Sequence, residues 1–177
     1  SDVCSSDLVQ ANSLYVECPG TTAALGGNLS VRSDVTFYSG TFSVGTYTVT
    51  FLSTYNAKIA ASYLVYGAST LDTGTGVLDM QGSGTVFDAA GSSLFSVTGA
   101  GTIKFSSSSS KAISVTAGTP FSATIDQAGS GLLDITVGST YGNITNSYGA
   151  TGATTVRLTA YNSSSNPTPY VFTSFNL

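Results

Sequence analysis

The sequence contains no histidine and no tryptophan, and only five basic and nine acidic residues among 177. A chain without histidine lacks the commonest general base and the commonest metal ligand, which argues against most hydrolases and most metal sites. The five cations, Arg32, Lys58, Lys104, Lys111 and Arg157, are scattered along the chain. No basic stripe exists to neutralise phosphates, so nucleic acid is not an expected partner. Long apolar runs are missing as well. No stretch approaches the roughly 18 consecutive apolar residues that span a bilayer, so no membrane span is expected.

What replaces charge is hydroxyl. Serine and threonine fill about 31% of positions, while charged residues make up 8% against about 25% in an ordinary soluble domain. Such a surface tolerates an acidic or otherwise harsh exterior, where carboxylates lose their charge. It also allows copies to pack closely with little repulsion. The length fits a single domain with a sizeable core.

Two cysteines occur, Cys4 and Cys18. Cys4 lies in the opening SDVCSSDL, which reads like a translated sequencing-library adapter. If Cys4 is genuine, a Cys4–Cys18 disulfide is expected in an exported chain, worth about 3 kcal/mol. If it is not, Cys18 has no partner in the sequence.

The hydrophobic pattern is strand-like nearly throughout. Phe42-Ser43-Val44 and Tyr47-Thr48-Val49-Thr50-Phe51 alternate apolar with hydroxyl side chains, the period of a half-buried strand. Similar runs recur to the C-terminus, rich in Val, Ile, Thr, Tyr and Phe and separated by glycine turns such as Gly82-Ser83-Gly84 and Gly99-Ala100-Gly101. No 3.6-residue stripe is sustained, so helix is expected to be minor. Short strands at this spacing predict an all-β fold, an antiparallel β-sandwich or jelly roll. A β-solenoid is the alternative, because Gly-x-Gly followed by a short apolar strand recurs at Gly76–Asp79, Gly84–Asp88 and Gly131–Asp134. Residues 1–18 form an N-terminal extension set off by Pro19-Gly20, with residues 19–177 as the β domain. The extension is either the first strand of that domain or a donor strand that completes a neighbouring copy.

No catalytic constellation emerges. Asp72-Thr73-Gly74-Thr75 matches the core motif of aspartic proteases, but a second copy is missing, and Asp and Gly between strands also make a turn. Asp79, Asp88, Asp126 and Asp134 are the carboxylates available to a glycosidase pair, yet their spacing brings no two together. No calcium loop or phosphate cradle is complete. The Ser106–Ser110 run with Lys111 reads as a flexible loop, and most aromatics fall at core positions. Three sequons, at Asn28, Asn143 and Asn162, are the candidate acceptors for N-linked glycans, with Asn143 and Asn162 expected to be exposed. Catalytic residues, cofactors and metals are therefore expected to be absent.

The isolated N-terminal strand, the low-charge Ser/Thr-rich body and the sequons together resemble archaeal surface-filament subunits, the donor-strand threads and bundling pili related in architecture to TasA-type fibres. The resemblance implies a jelly roll whose N-terminal strand inserts into the next subunit, giving an extracellular, cell-surface homopolymer of identical subunits. Carried onto this sequence, the donor strand falls at Val9, Ala11, Leu14, Tyr15 and Val16, with Leu14 and Val16 filling pockets. A glycan- or surface-binding adhesin domain and a viral coat protein are the alternative readings.

Overall fold

The computed structural model describes residues 9–11, 14–32, 35–52, 59–61, 68–89, 95–115, 120–136, 140–148, 154–159 and 171–176. Among them there is no helix, and every strand pairing is parallel. The chain winds as a β-solenoid, three strand segments to a rung, each hydrogen-bonded to the corresponding segment one turn later. The expected antiparallel sandwich is thus corrected to the alternative, a stack of parallel ladders.

The first face runs through β1 (Val9–Ala11), β3 (Leu29–Val31), β5 (Thr48–Phe51), β8 (Val77–Met80), β11 (Thr102–Phe105), β13 (Thr124–Gln127), β15 (Thr140–Thr145) and β17 (Val171–Asn176). The second runs through the start of β2 (Leu14–Ala24), the start of β4 (Val35–Ser43), then β6 (Ile59–Ala61), β9 (Gly84–Ala89), β12 (Lys111–Val115), β14 (Leu133–Ile135) and β16 (Val156–Leu158). The third is built from the ends of β2 and β4, then β7 (Ser69–Asp72) and β10 (Phe95–Thr98), and continues as single bridges through Phe121 and Tyr141. β4 serves two faces because it turns the corner at Ser39-Gly40. Gly40 has φ +81°, and a Cβ there would sit 2.0 Å from the Cys18 carbonyl oxygen. Only glycine combines that left-handed backbone with so close an approach.

Alternation sorts the side chains. On the first face the register stacks Val9, Leu29, Val49, Leu78, Ile103, Ile125, Ile144 and Phe175 in one column. Leu29 through Ile144 of that column are buried in the interior. Two residues along, Val31, Phe51, Met80 and Phe105 make a second buried column. Adjacent strands lie about 4.8 Å apart, so the buried side chains from Leu29 to Ile144 stack in van der Waals contact. An aromatic run reinforces them. Phe42, Phe37, Phe95, Phe87, Phe121 and Tyr141 follow one another with ring centroids 5.4–6.2 Å apart, tilted or edge-on, the geometry ring quadrupoles prefer. The core-aromatic expectation thus holds for these six residues.

Candidate functional site

The polar row of the first face alternates with these apolar columns, and Ser30 and Asp126 within it are buried. On the first face the register lines up Ser30, Thr50, Asp79, Lys104, Asp126 and Thr145. Lys104 stands between two carboxylates, one strand from each, so Asp79 and Asp126 are roughly 10 Å apart by strand spacing. Each is also occupied by neutral donors. Asp79 accepts from Gln81 Nε2 at 2.9 Å and from Ser106 Oγ. Asp126 accepts from Thr145 Oγ1, Ser147 Oγ and the Ser147 amide at 2.7–3.1 Å. Asp88 and Asp134 lie on the second face in different columns, opposite Ser114 and Ala112. The four candidate carboxylates therefore do not converge.

Asp134 pairs with Arg157 at 2.5 Å and accepts from Thr159 Oγ1 at 2.7 Å. Burial pushes its carboxyl up, but the Arg157 and Thr159 hydrogen bonds and the Arg157 charge outweigh that and hold it below the usual range. Asp72 ends β7. One of its oxygens accepts from the Gly74 amide at 3.0 Å and the other from Ser43 Oγ at 2.9 Å. With Gly74 at φ +54°, this is a side-chain-capped turn, the structural reading of that motif.

The remaining sequence-derived residues fall as follows. Asn28 is exposed, and its Oδ1 accepts from the Thr48 amide. Asn143 is half-buried in β15, its Oδ1 accepting from Ser174 Oγ, so it is less exposed than expected. Asn162 and Cys4 lie outside the described residues. Cys18 is half-buried and forms no disulfide among the described residues, its Sγ lying 3.7 Å from the Ser39 and Thr41 carbonyl oxygens. Val9, Ala11, Leu14, Tyr15 and Val16, assigned to a donor strand, lie in β1 and β2. There they pair with β3 and β4 of their own chain, Val9 opposite Leu29 and Val16 opposite Phe37.

Two features were not legible in the sequence. The first is at the ends of the solenoid. Among the described residues the large apolar side chains left exposed are Tyr15, 65% exposed, and Leu158, 39% exposed. They sit on β2 and β16, the outermost of the described strands of the second face.

The second feature is inside. Lys111 is 2% exposed, and Gln127 is fully buried. Gln127 occupies the second buried column directly after Phe105, and Lys111 stands opposite Leu133 on the second face. Lys111 Nζ donates to the Ser107 carbonyl at 2.7 Å and the Gly131 carbonyl at 3.2 Å. Gln127 Nε2 donates to that same Gly131 oxygen and to Thr154 Oγ1 at 2.7 Å, while Gln127 Oε1 is buried with no partner among the described residues. No carboxylate is hydrogen-bonded to the Lys111 amine among the described residues, and burial lowers its pKa to about 8. Ser106–Ser110 carries no strand, in keeping with the loop reading, and only Lys111, read together with it, departs. Lys111 begins β12 and is pinned in the interior.

A shallow polar cleft of about 500 Å³ lies outside this corner, lined by Gln81, Gly82, Ser83 and residues 106–109. Among the described residues no group of three or more His, Cys, Asp or Glu side chains is placed to hold a metal ion. Among the described residues no helix is long and apolar enough to cross a membrane. Comparison with known proteins finds no matching family model, curated protein or solved structure.

Proposed function

We propose that the protein is a structural subunit of an extracellular filament, cellular or viral, that polymerises with identical subunits by extending its own ladders. The observation that carries this reading is the placement of Tyr15 and Leu158. Exposed apolar surface on the outermost described strands of one face is covered if β16 of one copy lies beside β2 of the next. A strand edge presents unpaired amides and carbonyls, a template for another strand. A join between unlike ends does not close on itself, so it propagates into a fibre. Strand donation would require the first rung to leave its own molecule. The pairing of β1 with β3 and of β2 with β4 supports rung-against-rung apposition instead. The low charge and hydroxyl-rich surface favour such stacking, because copies meet with little repulsion. Asn28 is the exposed sequon among those described and is the proposed glycan acceptor on the fibre surface.

The glycan-binding adhesin is the second reading, favoured by the hydroxyl-lined cleft at Gln81–Ser109. Negative-stain electron microscopy, before and after boiling in detergent, separates the two. Thin fibres that persist, and that are shortened or lost in Leu158→Lys at unchanged circular dichroism, support the filament. Discrete monomers of the unaltered protein at all concentrations reject it and leave the adhesin.

A further inference from the structure

Three side chains from three parts of the chain converge on one backbone oxygen. Lys111 Nζ (3.2 Å) and Gln127 Nε2 both donate to the carbonyl of Gly131, and Thr154 Oγ1 lies 3.4 Å from it and 3.2 Å from the Gly129 carbonyl. A carbonyl has two lone pairs, so the amine and the amide fill this acceptor, while the Gln127 side-chain oxygen has no donor among the described residues. Buried polar networks are normally satisfied in full, and one that is not calls for a reason. Both Lys111 and Gln127 also interrupt columns that are otherwise apolar, and hydrogen bonding alone gives no cause to place an amine and a carboxamide there.

We infer that Lys111 and Gln127 are the two halves of an intramolecular isopeptide cross-link that joins neighbouring rungs of the solenoid. The reaction is a transamidation. The neutral amine attacks the Gln127 side-chain carbonyl carbon, and a bond forms between Nζ and Cδ. The bond from Cδ to Nε2 then breaks. Nε2 leaves as ammonia, carrying its two hydrogens and one that originates on Nζ. Thr154 Oγ1, already hydrogen-bonded to Nε2, is the group placed to pass that proton to the leaving nitrogen. No oxidant or other reagent is consumed. The product keeps a single N–H, which can donate to Gly131 in place of the two separate donors.

The surroundings suit the chemistry. A lysine becomes a nucleophile when burial favours its uncharged form, and among the described residues no carboxylate is bonded to this amine. Amine and amide are fixed on a common acceptor, so the attack is effectively unimolecular, and burial excludes the water that would compete. Gly131 makes the approach possible, since a Cβ there would lie 2.0 Å from the Ser109 carbonyl oxygen. The bond would staple the rung containing β12 to the next rung, containing β13, across the corner between the first and second faces.

Intact-mass spectrometry of the unaltered protein, followed by peptide mapping, tests this directly and does not depend on fibre formation. The expected result is a mass lower than the sequence value by one ammonia, with a branched peptide joining Lys111 to Gln127. Gln127→Leu and Lys111→Met should each return the full mass of their sequences. Incubation of the unaltered protein at pH 9 should raise the cross-linked fraction above that at pH 6 where conversion is incomplete. A full-length mass after the pH 9 incubation, with the Lys111 amine open to reductive methylation on unfolding, overturns the inference. So does an ammonia loss that maps to any other pair of residues.

Discussion

At the scale of single residues, Lys111 sets a pH dependence that can be read in a chain whose amine is kept free by Gln127→Leu. Its folded pKa of about 8 lies below the ordinary lysine value of 10.5. Between those values the unfolded chain binds more protons than the folded one, so stability should rise as pH rises from 8 towards 10.5. The span corresponds to about 3 kcal/mol at most. Urea midpoints at pH 7 and pH 10.5 measure it, and adding Lys111→Met should flatten the profile and raise the pH 7 value. A second residue-scale expectation concerns Lys104. Reversing it in Lys104→Asp puts three carboxylates in successive positions of one row, costing on the order of 1 kcal/mol. The loss should shrink in high salt, and urea midpoints at two ionic strengths show whether it does.

At the scale of elements, the strands were legible and their direction was not. Thr48–Phe51 and Thr102–Phe105 alternate as read, and both are strands with alternate residues buried. Alternation, however, only reports that one side is wet. Parallel sheets usually bury both faces and lose the pattern, but a solenoid keeps a dry inside and a wet outside, so its strands look antiparallel in sequence. The three Gly-x-Gly runs did mark strand starts, on β8, β9 and β14, yet β8 belongs to a different face from the other two. A repeat search that aligns all three is therefore out of phase. Lys111 escaped notice because a cation after five serines reads as solvated chain, and nothing local signals that its strand begins at the lysine itself. Gly40, by contrast, carries its corner visibly. Gly40→Ala should collide with the Cys18 carbonyl and part β2 from β4. A fall in melting temperature of several degrees, larger than for Gly20→Ala, which has open space around its Cβ position, would confirm that the corner depends on close approach.

At the scale of the whole molecule, each rung touches only its neighbours, so stability is distributed as in other stacked arrays. Hydrogen exchange should therefore be slowest in β8, β11 and β13, mid-stack, and fastest in β1, β16 and β17. On assembly the terminal strands should gain protection while the middle changes little. Exchange followed by mass spectrometry on monomer and fibre reads both, and protection gained elsewhere would place the join on a side of the solenoid rather than at its ends.

The rungs are unequal, and that has a mechanical consequence. Along the first face, Ile125 to Ile144 is 19 residues and Ile144 to Phe175 is 31. The ladder hydrogen bonds run along the solenoid axis, so a pull on the two chain ends loads the rung interfaces in series and peels the weakest first. Each rupture frees one coil of chain at roughly 3.3–3.6 Å per residue, about 65 Å for the shorter of these coils and about 110 Å for the longer. A single molecule stretched between its termini should extend in steps of differing length whose sizes spell out the rung order, and a covalent staple between two rungs would erase one of them.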